Sequence, residues 1–566
     1  MTPPTRPGAE FVYDALVEAG VDLLVGLPGT QTVPLDRVVT ERDEIRYVMA
    51  RHETAVPHVA WGHYEVSDIP AATLTVPGPG ETNAMHGLKN ALNDSVPILH
   101  VTGDAHPDDR GKGPIHEIDP DTYDTVVKEN VVVDSRRDLA AAVERGIERA
   151  LTPPMGPVRL GVPNEFLASE VAAPAATVNP ERVTRENGPL YDAAAALLAS
   201  ARRPVVWAGG GVHRSPGGTE AVRDLVAALD APAVTTYKSK GAIPEDDPRF
   251  LGVASSSLPP GSRRALSRAD VVCALGTDLD GVATADWDLP LGDSLVHVAL
   301  DPADLDQGYD ADVGIVADAA AAASAIRDRL RDRSSDGTGD AADAPPDRWD
   351  GAAVGRAARG EYRDHLEREG LYGTTDEGIH TAGVLRTVRE AVPDDAVVTA
   401  DVGGFRLWAM QAFETTAPDE MVAAGSWAGM GVGLPAAIGA KIARPERPVV
   451  CLSGDGGLLM CIHELATAVQ EGLDVTLVVS NNSDYAVISK QLPGTDTPAF
   501  AWESPDFPTI AEGFGWDATA VDDRTGLEAA LDDALGSDGP TLVDVTTPTE
   551  EPSAAAAADF ETELSF

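Results

Sequence analysis

Short apolar runs rich in β-branched residues alternate along the chain with glycine- and proline-containing turns and with alanine-rich amphipathic segments. Such runs occur at residues 22–26, 71–76 and 97–101, and again at 204–209 and 449–452. A strand that leads through a turn into an amphipathic helix is the pattern of parallel βαβ units. The pattern therefore predicts an α/β protein built from doubly wound parallel sheets.

Changes in composition divide this pattern into three blocks. We place the first block at residues 1–175 and, after a stretch rich in proline and alanine, the second at 186–333. Residues 334–350 contain almost no side chain that could be buried, which predicts a solvated linker. The third block covers residues 371–550, and the alanine-rich acidic tail at 551–566 is a candidate for disorder. The sequence thus predicts three α/β domains.

The chain is strongly acidic, with 91 Asp and Glu against 43 Lys and Arg and a formal net charge of −48. Binding to nucleic acid or to an anionic membrane surface requires clustered basic side chains, so we expect neither partner. Lysine is rare among the basic residues. Short hydrated carboxylates in place of lysine predict a halophilic protein, because salt at 1 M screens charges beyond about 3 Å. An ordinary acidic protein in dilute solution is the alternative.

Two features of the sequence bear on its cellular location. Cys273, Cys451 and Cys461 lack the spacing of a metal site, and the first two lie in apolar strand-like runs, so we expect buried free thiols. The first residues do not form a basic segment followed by an apolar one, and no run of about 18 apolar residues occurs. We therefore expect a cytoplasmic protein.

The most informative motif lies between residues 449 and 482. A predicted strand leads into a Gly-Asp-Gly-Gly turn that contains Asp455, an amphipathic helix follows, and the next predicted strand ends at Asn481-Asn482. Both strands of a parallel βαβ unit end at the same sheet edge, so Asp455 and Asn482 are expected to lie together. The glycines let backbone N–H groups approach an anion, and carboxylate and amide oxygens suit Mg²⁺. The motif predicts a site for a metal ion and a diphosphate.

This motif resembles the thiamine-diphosphate motif of the acetolactate synthase and 2-oxoacid decarboxylase family. A second match is Arg51-His52-Glu53, which precedes an alanine-containing helix. The resemblance extends from about residue 8 to 547. It implies an N-terminal pyrimidine-binding domain, a central Rossmann-like domain and a C-terminal diphosphate-binding domain of the thiamine-diphosphate enzyme type.

The resemblance also implies roles for individual residues. Glu53 would hydrogen-bond N1′ of the aminopyrimidine, Met430 would lie between the two rings of the cofactor, and the Ala428 carbonyl would accept from the 4′-amine. The implied metal ligands are Asp455, Asn482 and Asp484. The implied cofactor-binding residues are Glu53, Asn83, Gly403, Gly404, Ala428, Met430, Gly454, Asp455, Gly456, Gly457, Asn482 and Tyr485.

The chain also departs from the family pattern. Where acetolactate synthases have Phe-Gln-Glu, it has Ile115-His116-Glu117. His116 is a candidate catalytic proton donor, because histidine titrates near neutral pH; packing or substrate binding are its alternative roles. Residues 252–259 and 276–281 lack the Met-His-Gly loop and the Arg-Phe pair that accompany FAD in acetolactate synthases. FAD therefore stays a doubtful third cofactor beside thiamine diphosphate and Mg²⁺.

The resemblance implies a thiamine-diphosphate- and Mg²⁺-dependent enzyme that decarboxylates a 2-oxo acid and ligates the remaining fragment, as acetolactate synthase does. A 2-oxoacid decarboxylase similar to benzoylformate decarboxylase, which releases an aldehyde, is the main alternative. A non-catalytic relative that keeps the fold is a further one. Family members form each site from Glu53 of one subunit and the Gly-Asp-Gly domain of another, so a homodimer or homotetramer is implied.

Overall fold

The structure of the protein is a computed structural model that describes residues 5–181, 187–335, 345, 347–492 and 502–566. Within these ranges the chain forms three six-stranded sheets in which all neighbouring strands run parallel. Along the chain, helices connect most of the successive strands of each sheet. Two short antiparallel strand pairs accompany them. The predicted α/β fold with three doubly wound parallel-sheet domains is confirmed.

The N-terminal domain contains the first of these sheets. Its elements are β1 (Thr5–Pro7), α1 (Gly8–Glu18), β2 (Leu23–Gly26), α2 (Val33–Glu41), β3 (Arg46–Met49), α3 (Ala55–Ser67), β4 (Ala71–Thr75), α4 (Pro79–Asn93), β5 (Ile98–Asp104), β6 (Glu129–Val132), α5 (Leu139–Leu151), β7 (Val158–Pro163), α6 (Asn164–Ala168) and β8 (Glu170–Ala172). The strand order is β3-β2-β4-β5-β7-β6. Strands β4, β5 and β7 are buried along their whole length, as expected for parallel strands covered on both faces.

The central domain repeats this architecture. Its elements are α7 (Gly188–Ser200), β9 (Pro204–Ala208), α8 (Gly210–Arg214), α9 (Gly218–Leu229), β10 (Ala233–Thr235), β11 (Phe250–Val253), α10 (Pro260–Arg268), β12 (Val271–Leu275), β13 (Leu295–Ala299), β14 (Val313–Val316) and α11 (Ala319–Ser335). The strand order is β11-β10-β9-β12-β13-β14. The chain direction across the sheet reverses between β9 and β12, and this is where open α/β sheets leave a crevice for ligands.

The C-terminal domain contains the third sheet. Its elements are α12 (Gly351–Arg368), β15 (Thr374–Thr375), β16 (Gly378–Ile379), α13 (Thr381–Ala391), β17 (Val397–Ala400), α14 (Gly404–Ala412), β18 (Met421–Ala423), α15 (Gly433–Ala443), β19 (Val449–Gly454), α16 (Asp455–Cys461), α17 (Leu465–Glu471), β20 (Val475–Asn481), α18 (Ala486–Ser489), α19 (Phe507–Phe514), β21 (Asp517–Val521), α20 (Arg524–Leu535), β22 (Thr541–Thr546) and α21 (Ala554–Ala557). The strand order is β18-β17-β19-β20-β22-β21. The reversal of direction lies between β17 and β19, beside the predicted metal motif.

Two stretches that composition marked as unstructured differ in outcome. Most of the predicted linker at 334–350, namely residues 336–344 and 346, lies outside the described residues. The tail, by contrast, is ordered: α21 buries two of its alanines, and the Phe560 ring stacks on His365 at 4.1 Å. The Thr562 hydroxyl also donates to Glu361 at 2.7 Å. The expectation of disorder was wrong because a few apolar side chains anchor an otherwise acidic segment.

The three cysteines are free and buried, as predicted. Among the described residues, no helix combines the length and the apolar character needed to cross a membrane.

Helices α3 and α15 join the N-terminal and C-terminal domains through glycines that bring their backbones together. A Cβ atom on Gly62 would lie 2.3 Å from the Ala436 carbonyl oxygen, and one on Gly439 would lie 2.0 Å from the Val59 carbonyl oxygen. Real Cβ atoms do not approach so closely, so only glycine fits at either position. This contact fixes the start of α3, which follows Glu53, against the domain that carries Asp455.

A buried ionic cluster joins all three domains. Glu65 in α3 accepts from Arg214 and Lys238 of the central domain, the latter at 2.7 Å. Asp94, at the end of α4, lies 3.3 Å from Lys238 and accepts from the Gly425 backbone N–H at 3.1 Å. Two acids and two bases thus neutralise each other where the domains meet.

Replacing Glu65 with glutamine is expected to lower the free energy of unfolding by about 3–5 kcal/mol, because two buried cations would keep only one carboxylate. Burial alone would raise the pKa of Glu65, but Arg214 and Lys238 outweigh burial and lower it to about 2. The stabilisation is therefore complete above the unfolded pKa of about 4.3 and declines as pH falls from there towards 2. Urea unfolding at constant KCl measures the loss. The exposed Glu18→Gln is the control, and equal midpoints for both variants would contradict the assignment.

Candidate active site

The Gly-Asp-Gly motif lies at the switch point of the C-terminal sheet. Gly454 ends β19 opposite Ser480 of β20, and Asp455 follows as the first residue of α16. The Asp455 side chain is buried and accepts from the backbone N–H groups of Gly456 and Ser483, each at 2.9 Å. Burial outweighs these donors and raises the pKa of Asp455 to about 6. A cation bound beside it would hold this carboxylate in its charged form.

Asn482 and Asp484 follow β20 at the same sheet edge. The Asn482 Oδ1 atom accepts from the Asp484 backbone N–H at 3.2 Å. Asp484 is 7% exposed; its Oδ2 accepts from the Ser489 hydroxyl, whereas Oδ1 is buried without a hydrogen-bond partner among the described residues. Asp455 is bonded to Ser483, which lies between Asn482 and Asp484. The unpaired Asp484 oxygen therefore lies near further oxygen ligands, and this set of oxygens fits a hard cation such as Mg²⁺.

No group of three or more His, Cys, Asp and Glu side chains in the described part of the chain is arranged to hold a metal ion. An ion at Asp455 would therefore depend on amide oxygens and on the oxygens of a bound ligand. This is how Mg²⁺ usually binds, with one or two carboxylates plus phosphate and water oxygens.

Two glycine-containing helix starts, Gly403-Gly404 and the residues 454–457, form what we call the glycine cradle. Gly403 directly precedes α14, and Gly456 lies under Tyr485: a Cβ on Gly456 would lie 2.6 Å from the Tyr485 ring. A Cβ on Gly457 would lie 2.7 Å from the Asp401 carboxylate. The first backbone N–H groups of a helix have no intrahelical acceptor and can bind an anion. Within the cradle, the Gly456 N–H already donates to Asp455. The cradle therefore fits a diphosphate.

Asp401, which sequence reasoning missed, organises the turn that contains Met430. Its fully buried carboxylate accepts from the backbone N–H groups of Val402 at 2.6 Å and Gly431 at 2.9 Å, and from the Ser453 hydroxyl at 3.1 Å. The position of an aspartate directly after the apolar strand β17 was the available signal. Asp401 ties the Met430 turn to the neighbouring strands β17 and β19.

The Met430 turn also contacts the N-terminal domain. Ala428 has a left-handed backbone with φ +50°, and Met430 is partly exposed. The neighbouring Trp427 indole N–H donates to Nδ1 of His86 in α4 at 2.9 Å. Since Nδ1 accepts, a neutral His86 carries its proton on Nε2. Burial lowers the pKa of His86, and a hydrogen bond with the Met430 backbone, which raises it, offsets only part of this effect. His86 gave no signal in the sequence.

Glu53 lies in the turn before α3, half-buried. The Asn83 side-chain amide donates to Glu53 Oε2 at 3.0 Å. The backbone N–H groups of Arg51 and His52 both donate to Glu464 of the C-terminal domain, at 2.9 and 3.1 Å. Glu464, another residue missed by sequence reasoning, therefore fixes the Glu53 turn against the domain that carries the glycine cradle.

His116 lies beside the turn that starts α4. Its backbone is left-handed, with φ +65°, and a Cβ on Gly78 would lie 2.5 Å from its carbonyl oxygen. The His116 Nδ1 atom is buried without a hydrogen-bond partner among the described residues. The same loop is closed by Glu117, whose carboxylate accepts from the Gly113 backbone N–H at 3.0 Å.

The predicted residues thus form two groups. Glu53 and Asn83 are hydrogen-bonded, and His116 borders the turn before the same helix α4. The C-terminal domain holds the others around the switch point: Gly403, Gly404, Ala428, Met430, Gly454, Asp455, Gly456, Gly457, Asn482, Asp484 and Tyr485. The contacts of His86 with Trp427 and of Glu464 with the Glu53 turn join the two groups.

Comparison with known families defines the class of this fold and site. Residues 6–124 match the family described as thiamine pyrophosphate enzyme, N-terminal TPP binding domain; residues 191–326 match its central domain; and residues 401–545 match its C-terminal TPP binding domain. The protein is therefore a thiamine-diphosphate enzyme of three domains, and its three sheets correspond to them in order.

Full-length relatives specify the family further. The chain is 30% identical to acetolactate synthase isozyme 3 large subunit of Escherichia coli K12 over 93% of this chain and 92% of the relative. It is 29% identical to isozyme 1 over 96% and 94%. It is 28% identical to a probable acetolactate synthase large subunit of Methanocaldococcus jannaschii over 95% and 91%. The chain belongs to the acetolactate synthase-like family of thiamine-diphosphate-dependent enzymes, which confirms the predicted family and enzyme class.

Proposed function

We propose that the protein decarboxylates a 2-oxo acid and joins the remaining fragment to a second 2-oxo acid, with Mg²⁺ and thiamine diphosphate as cofactors. The full-length similarity to acetolactate synthase large subunits carries this proposal. It favours carboligation over simple aldehyde release. The Asp455 and Asp484 carboxylates and the Asn482 amide support Mg²⁺ as the metal, since each offers a hard oxygen.

The residues present fit the cofactor. When bound, thiamine diphosphate supplies the carbon nucleophile and the electron sink for decarboxylation. The backbone N–H groups of the glycine cradle would bind its diphosphate, together with the metal held by Asp455 and Asn482. Met430 and the Ala428 carbonyl, on the turn that Asp401 fixes, would contact its rings.

Two acid–base groups of the N-terminal domain would move protons. Glu53 would hold a proton at N1′ of the aminopyrimidine, and the Asn83 amide bonded to Glu53 Oε2 restricts the direction of that carboxylate. We assign His116 as a proton donor to the reacting substrate oxygen. Its unpartnered Nδ1 atom supports this role.

We further propose a cytoplasmic homodimer, or a tetramer built from such dimers, in a salt-rich cytosol. Several apolar side chains near the glycine cradle are well exposed, and a second subunit would cover them. They are Trp427, Leu459, Met460, Tyr485, Val487 and Ile488. The net charge of −48 supports the high-salt setting, because molar salt screens the repulsion between two such subunits. Sedimentation in molar KCl tests the dimer, and a monomer throughout would contradict it.

The crevice of the central domain argues against FAD. The cavity at the ends of β9 and β12, which residues of all three domains line, has a volume of about 240 Å³, below the 300–1,000 Å³ typical of small-molecule sites. Carboxylates line it, including Asp278 and Asp304, and burial raises the pKa of both to about 6. The basic Arg214 and Lys238 are already paired. We infer that the enzyme acts without FAD; visible flavin absorbance of the purified protein would contradict this.

His86 is proposed as a positioning residue for the Met430 turn. His86→Ala is expected to lower kcat about 10- to 100-fold, because misplacing a positioning group by 1 Å costs a factor of that order. His86→Asn keeps an acceptor near the position of Nδ1 and should restore most of the activity. Steady-state kinetics on both variants is the measurement. Equal losses in the two would refute a role for the Trp427 hydrogen bond.

The function is tested by incubating the protein with thiamine diphosphate and Mg²⁺ in molar KCl against a panel of 2-oxo acids. At least one acid should release CO₂, and only when both cofactors are present. Release without thiamine diphosphate, or from no acid of the panel, would refute the proposal.

A further inference from the structure

A pocket outside the proposed active site lies between the central domain and helices α12, α13 and α14. Its volume is about 310 Å³, within the range of small-molecule sites. Four arginines line it: Arg359 and Arg363 of α12, and Arg386 and Arg389 of α13. We call it the arginine pocket.

The arginine pocket is far less acidic than the chain as a whole. Acidic residues outnumber basic ones by 91 to 43 in the chain, yet the four arginines face only four glutamates here. One of these, Glu245, is already bonded to the buried Lys240. Arg389 is also paired with Asp394 at 2.7 Å. The lining is therefore close to neutral in a chain that otherwise repels anions.

The guanidinium groups retain free donors. Arg363 donates through Nη2 to Glu414 at 2.7 Å, and Arg386 through Nε to Glu390 at 3.2 Å. Each guanidinium has five N–H donors, so most donors of these two residues have no acceptor among the described residues. Planar guanidinium donors bind phosphate and carboxylate oxygens in pairs.

Tyr362 gives an independent indication of a ligand. It lines the same pocket and is 5% exposed, and its buried hydroxyl has no hydrogen-bond partner among the described residues. An unpaired buried hydroxyl costs free energy unless a partner binds to it. Burial raises the pKa of Tyr362, so its hydroxyl stays a donor at neutral pH.

The pocket is distinct from the glycine cradle. Helix α14 begins at Gly404 in the cradle, whereas Met410, Gln411 and Ala412 at its other end line the arginine pocket. At 1.5 Å per residue, the nine residues of α14 span about 13 Å. A ligand in the pocket would therefore contact the helix that supports the cradle without occupying it.

We propose that the arginine pocket binds a small oxyanion with at least two negative charges, either a phosphate or a dicarboxylate. Arg363 and Arg386 would contact its oxygens, and the Tyr362 hydroxyl would donate to one of them. This assignment does not depend on the proposed reaction, because binding can be measured without turnover.

The test is calorimetric titration of the protein, saturated with thiamine diphosphate and Mg²⁺, with inorganic phosphate and separately with succinate at constant KCl. At least one probe should bind saturably, once per chain; which one binds identifies the class of anion. Arg363→Gln with Arg386→Gln should weaken binding at least about tenfold, since both changes remove charge-assisted hydrogen bonds to the anion. Tyr362→Phe should weaken it several-fold with the ring retained.

Arg145→Gln, which removes an exposed arginine of the N-terminal domain, is the matched control and should bind as the unmodified protein does. Absence of saturable binding by both probes would overturn the proposal. So would unchanged affinity in both the double arginine variant and Tyr362→Phe.

Discussion

Replacing Glu53 with glutamine is expected to lower kcat with a 2-oxo acid by about 10²- to 10⁴-fold, the usual contribution of a positioned acid–base group. Glutamine keeps the size of the side chain and can still meet Asn83, but it cannot exchange a proton at N1′. Binding of thiamine diphosphate should change much less, because the glycine cradle and the metal ligands are untouched. Single-turnover CO₂ release and cofactor titration measure the two effects separately.

The control for this experiment is Glu18→Gln, an exposed carboxylate in α1 of the same domain. It should retain full activity. If Glu53→Gln also kept full activity, Glu53 would have no acid–base role and the assignment of the N-terminal half of the site would be wrong.

The second large effect is expected at Asp455. Replacing it with asparagine should weaken Mg²⁺-dependent cofactor binding by at least about 10²-fold, because a metal-bound carboxylate contributes several kcal/mol. In the unmodified protein, Mg²⁺ affinity should also fall as pH drops below about 6, since burial raises the pKa of Asp455 to about 6 and protons compete with the ion. Mg²⁺ titrations of activity at several pH values measure both effects.

In the metal-free protein, the raised pKa of Asp455 also makes the stability of the fold depend on pH. A folded-state pKa above the unfolded value means that the folded chain binds the proton more tightly, so stability should fall as pH rises from about 4 to 6. Asp455→Asn should remove this dependence, whereas the exposed Asp533→Asn should keep it. Unchanged Mg²⁺ affinity in Asp455→Asn would show that the ion binds elsewhere.

The fold was largely predictable because parallel βαβ units leave a strong signal in sequence. Strands such as β9 and β12 are short runs of buried apolar residues, and Gly-Asp-Gly marks the turn that follows β19. Asp455 and the Asn pair could be placed together because parallel strands end at one sheet edge. The parallel topology therefore allowed the spacing of these residues in the sequence to predict that they lie close together in the structure.

Contacts between domains were not predictable in this way. His86 meets Trp427 and Glu464 meets Arg51 across hundreds of residues, and neither pairing has a periodic or spacing signal. Asp401 resembled any polar residue at a strand end, although its carboxylate holds the Met430 turn. The acidic tail is likewise fixed by a few specific contacts, and the average composition of a segment does not reveal individual contacts.

The central claim, carboligation, is tested most directly by the product formed from pyruvate. The protein should be incubated with pyruvate, thiamine diphosphate and Mg²⁺ in molar KCl, with CO₂ followed and the product identified by NMR. The account predicts acetolactate, with two pyruvates consumed for each CO₂ released. Acetaldehyde alone, with one pyruvate consumed per CO₂, would contradict it.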